Sequence, residues 1–125
     1  MILDTNVFSA WADGDEAIAQ LEVGERPLLL PSVVVGEWLF GVRGSRHRAA
    51  YERWYGQHRA QWTVLEVGEE TARYYSNVRA ELKTAGTPIP ANDLWIAALC
   101  REHDLPLASR DAHFDVVKGL KRIAW

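Results

Sequence analysis

Short apolar runs alternating with helix-period segments set the strongest limit on what this 125-residue chain folds into. Met1 to Leu3 reads as a buried strand that ends in an acid, Asp4, with helix from about Val7. A second helical stretch spans Glu16 to Glu22, with Ala17, Ile18 and Leu21 on one face and Gly24 as its stop. Leu28 to Leu30 is the next strand. Pro31-Ser32 then turns the chain, with Ser32 as N-cap of a helix through Phe40 that Gly41 and Gly44 close. Between Ser45 and Arg59, Tyr51, Trp54, Tyr55 and His58 recur at helical spacing. Trp62 to Val67 reads as strand and Glu69 to Lys83 as helix, ended by Gly86 and Pro88. Asn92 or Asp93 caps a helix to His103 whose LWIAALC stretch is apolar nearly all round, hence buried. Leu105–Ala108 and Lys121–Ala124 are short strands around a helical turn at Ala112 to Val117. Strand–helix alternation of this kind predicts an α/β fold, with a mostly parallel sheet of four to five strands between two helix layers.

The length suits one domain, and no repeat or low-complexity linker divides it, so residues 1–125 are expected to form a single unit. Hydrophobic residues are 48% of the chain, enough for a core. The single cysteine, Cys100, excludes an internal disulfide framework. The longest apolar run, Leu94 to Cys100, falls far short of the ~20 residues that span a bilayer, and no signal-type segment is visible. A soluble cytoplasmic protein without membrane contact is the expectation.

Open parallel sheets build their sites beyond the carboxyl ends of the strands. Asp4 and Asp111 fall at such points. Two further acids stand out: Glu37, in VVVGEWLFG, and Asp93, in ANDLWIAA. Singly, Asp4, Asp93 and Asp111 have an ordinary alternative as helix N-caps. Glu37 is flanked by Val33, Val34, Val35, Trp38, Leu39 and Phe40, so its carboxylate needs a cation, hydrogen-bond donors or an arginine partner. Together the four offer the hard oxygen ligands that Mg²⁺ or Mn²⁺ prefer, whereas zinc-type Cys/His spacing is missing.

MILDTNVFSA, SVVVGEWLFGV, ANDLWIAA and LASRDAHF resemble, in order and spacing, the motifs of the PIN-domain ribonucleases, and most of all the VapC toxins of toxin–antitoxin operons. The resemblance spans essentially the whole chain. It implies a PIN-like α/β/α sandwich and a Mg²⁺- or Mn²⁺-dependent endoribonuclease that hydrolyses single-stranded or loop RNA to a 5′-phosphate and a 3′-hydroxyl. Asp4, Glu37, Asp93 and Asp111 match the metal-binding acids, Thr5 and Asn6 the polar pair beside the first, and Ser109 the small hydroxyl residue near the last. His113, two places after the last acid, has no role fixed by the resemblance. It further implies a small VapB-like antitoxin as partner and a homodimer; the aromatic stripe Tyr51, Trp54 and Tyr55, with Trp38 and Phe40, offers a surface for that dimer, with a well-filled core as the alternative.

The net charge of −3 runs against an RNA-binding role, but its distribution does not. Between Gly41 and Trp62 five arginines, Arg43, Arg46, Arg48, Arg53 and Arg59, face one acid, Glu52. Arg43 and Arg46, with Arg110 beside the last acid, are candidate RNA contacts, although a solvated helix face explains them equally. Two other functions use the same acids: a phosphohydrolase, and an inactive PIN fold that only binds RNA or protein. A phospho-aspartyl enzyme expects Asp-x-Asp where this chain has Asp4-Thr5-Asn6, and no phosphate-cradling glycine loop is present.

Overall fold

The computed structural model describes residues 1–21 and 27–125. Five parallel strands, β1 (Ile2–Leu3), β2 (Leu28–Pro31), β3 (Trp62–Leu65), β4 (Leu107–Ala108) and β5 (Arg122–Ile123), lie in the order β3-β2-β1-β4-β5. The helices are α1 (Thr5–Ala12), α2 (Ser32–Arg43), α3 (Arg48–His58), α4 (Glu69–Ala85) and α5 (Ala91–His103). Central β1 is apolar on both faces because helices cover both, and Ile2 and Leu3 are buried.

The strand order fixes where the helices go. From β1 the chain steps outward to β2 and β3, then returns across the sheet to β4 and continues to β5 on the other side. Parallel crossovers share one hand. Reversing the direction of travel therefore moves the connecting helices from one face to the other: α1, α2 and α3 on the first, α4 and α5 on the second. The expected three-layer arrangement follows, with all five strands parallel. Its switch point lies between β1 and β4.

Helix ends differ from the sequence reading. The first helix starts at Thr5, directly behind Asp4. α2 runs past Gly41 to Arg43 and is closed by Gly44; Pro31, not Ser32, precedes its first turn. α5 begins at Ala91 after Pro90, which places Asn92 and Asp93 inside the first turn rather than at the cap. Proline's fixed φ starts both helices without a capping side chain. The Glu16–Glu22 helix is a 3₁₀ segment, Glu16–Gln20, and Glu22 and the Gly24 stop lie outside the described residues. α4 ends where Gly86 adopts φ 71°, and an added Cβ there would meet no neighbouring atom. Gly86→Ala therefore costs backbone strain alone, about 1–2 kcal/mol, readable as a lower urea midpoint at unchanged slope.

The aromatic stripe of α3 packs against the core, and its rings, Tyr51, Trp54 and Tyr55, are left half-buried. Phe8 of α1 makes edge contacts with Trp38, Trp54 and Trp62 at centroid distances of 5.2, 5.6 and 5.1 Å. Trp38 also stacks on Tyr55 at 5.7 Å. A small α/β domain covers its sheet with few helices, and bulky rings fill that gap efficiently. The surface from which dimerisation was expected is thus largely spent inside the molecule. Phe40, 79% exposed, is its most open member, beside the half-buried edges of Tyr51, Trp54 and Tyr55.

Candidate active site

Asp4 is the last residue before α1 and sits at the carboxyl end of β1, 3% exposed. Its Oδ1 accepts the Thr5 backbone N–H at 2.8 Å, and its Oδ2 accepts the Ser109 hydroxyl at 2.6 Å and the Asn6 amide at 3.3 Å. Ser109 follows directly on β4, and its hydroxyl in turn accepts the Asp111 N–H at 3.0 Å. Asn6 binds both sides of the switch point. Its Nδ2 also donates to Asp111 Oδ2 at 3.3 Å, and its Oδ1 accepts the Arg110 N–H at 3.3 Å. Asn6 and Ser109 thus tie the ends of β1 and β4 together and aim two carboxylates into the crevice.

The other two acids arrive on helices from opposite faces. On α2, Val34, Trp38 and Val42 form the buried stripe, and Glu37 stands at its flank. Glu37 Oε1 is buried without a hydrogen-bond partner, as is the Thr5 hydroxyl. Asp93 occupies the third position of α5, where the helix dipole favours a negative charge. His113 Nε2 lies 2.8 Å from Asp93 Oδ2 and carries the bridging proton when that carboxylate is ionised.

The acids feel one another. Burial is the main cause that raises the Asp4 carboxyl above its ordinary pKa; Asp111 adds to the rise, while the Ser109 and Thr5 hydrogen bonds oppose it. Burial again leads for Glu37, reinforced by Asp93 and Asp4; the nearby polar side chains of Thr5 and Asn92 offset a part without making a hydrogen bond of full geometry to Oε1. Asp93 is raised by burial, with His113 opposing and Asp4 and Asp111 adding. Side chains from four distant segments therefore share one electrostatic environment.

Helix capping does not account for this arrangement. Only Asp4 caps through its side chain; Asp111 makes no such bond and Asp93 is not at a cap. The arginine partner considered for Glu37 is also missing among the described residues. Among those residues, no three His, Cys, Asp or Glu groups are drawn into a closed cation cage. Mutual repulsion, an orphaned buried Oε1 and an all-oxygen donor set nonetheless fit a hard divalent cation. Cys100 does not belong to the set, because burial pushes its thiol up to about 12.

Of the candidate RNA contacts, Arg110 is engaged elsewhere. Its guanidinium lies 3.8 Å from the Trp125 ring centroid and 3.8 Å from Asp15. Arg43 and Arg46 are exposed, and among the described residues neither pairs with the acids. They flank Val42 and Ser45, which line a cleft of about 380 Å³ that opens beside Glu37 and Thr5. The residue that sequence reasoning left without a role is His113. No local pattern marks it, since its partner Asp93 lies twenty positions back.

Comparison with known proteins agrees with the geometry. The PIN domain family profile matches residues 1–120. The chain is 29% identical over 121 residues to "Ribonuclease VapC5" of Mycobacterium tuberculosis, covering 94% of this chain and 87% of that one. Among solved structures, VapBC-5 of M. tuberculosis superposes with a TM-score of 0.77 at 28% identity, covering 99% of this chain and 97% of that one. VapBC2 of Rickettsia felis, bound to a promoter DNA fragment, reaches a TM-score of 0.90 at 22% identity over 99% and 97%, a likeness of fold.

Proposed function

The chain belongs to the PIN-domain family, and from that premise we propose that residues 1–125 form one PIN domain acting as a divalent-metal-dependent endoribonuclease, the toxin of a toxin–antitoxin pair. The observation that carries the reading is the meeting of Asp4, Glu37, Asp93 and Asp111 at the β1/β4 switch point, with Glu37 Oε1 buried and unpartnered. Similarity to ribonucleases named VapC and to VapBC complexes supports it.

Asp4, Glu37, Asp93 and Asp111 are the residues that would hold Mg²⁺ or Mn²⁺. Such an ion supplies an acidified water and charge neutralisation at phosphorus. The chain's own groups do the positioning. Ser109 and Asn6 hold Asp4 Oδ2, Asn6 also holds Asp111, and His113 holds one oxygen of Asp93. The chemistry requires no pair of histidines for acid–base work.

Labelled RNA and a phosphomonoester, each with chelator and with Mg²⁺ or Mn²⁺, separate the readings. Metal-dependent internal RNA cuts with an untouched phosphomonoester are expected. Phosphomonoester turnover alone would make the chain a phosphohydrolase, and RNA binding without cleavage would make it an interaction module. The antitoxin is a separate test: co-expression with the neighbouring small open reading frame is expected to relieve growth arrest and yield a co-purifying complex. No relief and no complex would retire the toxin role while leaving the nuclease in place.

A further inference from the structure

The 380 Å³ cleft beside Glu37 is built from two matching helix stripes. Thr5, Ser9 and the C-cap residue Asp13 lie at i, i+4 and i+8 along α1; Glu37 and Gly41 repeat that spacing on α2, and Ser45, just past its C-cap Gly44, continues the row in sequence. Every one of these side chains is small or polar. Glycine in a helix interior is destabilising by about 1 kcal/mol relative to alanine, and a Cβ at Gly41 would meet no atom within 4 Å, so the floor is open there. At the far end Tyr51 of α3 closes the cleft, its hydroxyl donating to Asp13 Oδ1 at 2.5 Å. That bond, with Asp13 as its cause, raises the Tyr51 phenol, which keeps Tyr51 the donor. Among the described residues, Asp13 Oδ2 has no hydrogen-bond partner.

We propose that this cleft receives one base of the RNA next to the cut, and that Asp13, held by Tyr51, selects guanine. The inference rests on the nuclease reading and names the substrate preference of the same site. Its size, near the lower end of small-molecule pockets, suits a single nucleoside and not a duplex or a protein helix. Its contact with Glu37 makes the occupant the neighbour of the scissile phosphate. The base choice follows from donors and acceptors. An ionised carboxylate accepts only, through two oxygens with about four lone-pair sites, so a hydrogen bond from Tyr51 leaves it able to take two more. Single-stranded RNA is read on its Watson–Crick edges. Guanine alone presents adjacent donors there, N1–H and N2–H₂. Adenine and cytosine set a ring acceptor beside their amino group, and uracil flanks its N3–H with two carbonyls, so each turns lone pairs toward Asp13. Arg43 and Arg46, at the α2 end of the cleft, are placed to balance the backbone charge that Asp13 would repel.

The test puts the discriminating change in the substrate, so that folding of a variant does not enter. Wild-type protein with Mn²⁺ is expected to leave RNA ends with guanine at one fixed position beside the cut. Replacing that guanosine with inosine removes only the N2 amino group and should lower kcat/KM roughly 10-fold or more, whereas 7-deazaguanosine, altered on the other edge, should be cut as before. Asp13→Asn should reduce the guanine-to-adenine ratio of kcat/KM by roughly 10–100-fold, and Tyr51→Phe should reduce it less. Binding is read separately, by tryptophan fluorescence with guanosine 5′-monophosphate and adenosine 5′-monophosphate in chelator, since Trp38 lines the cleft. Cleavage without guanine bias, inosine cut as well as guanosine, or equal binding of the two nucleotides would overturn the proposal and leave the nuclease reading standing. Guanine-selective binding, lost in Asp13→Asn, with no RNA cleavage would retain the cleft and retire the nuclease.

Discussion

Asp4→Asn, Glu37→Gln, Asp93→Asn and Asp111→Asn each lose RNA cleavage by more than about 100-fold, while the proteins still unfold cooperatively. Each change keeps the size of the side chain and removes one negative charge from a group in which burial, with neighbouring acids adding to it, raises Asp4, Glu37 and Asp93. Losing a hydrogen-bond partner of a metal ligand typically costs ~10–100-fold, and losing the ligand itself exceeds that. Ser109→Ala, which strips the 2.6 Å hydrogen bond from Asp4 Oδ2, belongs in the lower range. Glu81→Gln is the control: Glu81 pairs with Arg101 across α4 and α5 on an exposed face, and its loss should leave cleavage within about twofold. Kinetics on one RNA substrate at saturating Mn²⁺, with circular dichroism of every variant, decide the matter. Activity of any of the four acid variants within tenfold of wild type would remove that residue from the site, and full activity in excess chelator would overturn the metal reading altogether.

The parts of this molecule that were legible in the sequence are those whose cause is local. A strand ending in an acid announces itself, because two apolar residues and then Asp4 cannot continue into a buried sheet. Likewise the LWIAALC stretch of α5 has to be buried whatever its partners are. The strand order was not legible, since β1 pairs with β4 across a hundred residues of chain. Nothing near Leu3 or Ala108 specifies that register. The same limit explains the α3 stripe. Helical spacing showed that Tyr51, Trp54 and Tyr55 share a face, but not that Phe8 and Trp62 would meet it, so the sequence left a partner chain and a filled core as alternatives. Helix starts at Pro31 and Pro90 were displaced onto Ser32 and Asn92 or Asp93 because capping residues are the commoner signal. For the site, four acids were found by motif, whereas His113 depends on a contact that exists only once α5 and the 3₁₀ turn at Ala112–Val116 are side by side.

Melting experiments test the same acids without any RNA. Burial, with neighbouring acids adding to it, raises Asp4, Glu37 and Asp93 above their ordinary values. A carboxyl whose folded pKa is raised favours the native state when protonated. Its contribution is fully present below the unfolded pKa and is lost as pH rises through the folded one. The metal-free protein should therefore gain stability between neutral pH and about pH 5, just above the ordinary carboxylate range. Below about pH 4 the trend turns, because Asp115, held below its ordinary pKa by Arg122, loses its stabilising charge as pH falls through that lowered value. A divalent cation at neutral pH relieves the same repulsion by binding only the folded state. At a hundred times its dissociation constant it adds about 2.7 kcal/mol, which for 125 residues corresponds to a rise in Tm of about 10 °C. Asp93→Asn separates this account from a structural role for Asp93. An asparagine oxygen still accepts from His113 Nε2, so the local hydrogen bond survives while the charge is gone. The variant should be as stable as wild type or more so in chelator, flatter in its response to acid, and several degrees less responsive to Mg²⁺ or Mn²⁺. Equal metal shifts in both proteins would mean that Asp93 serves only the first turn of α5, and the assignment of the site would fail at that residue.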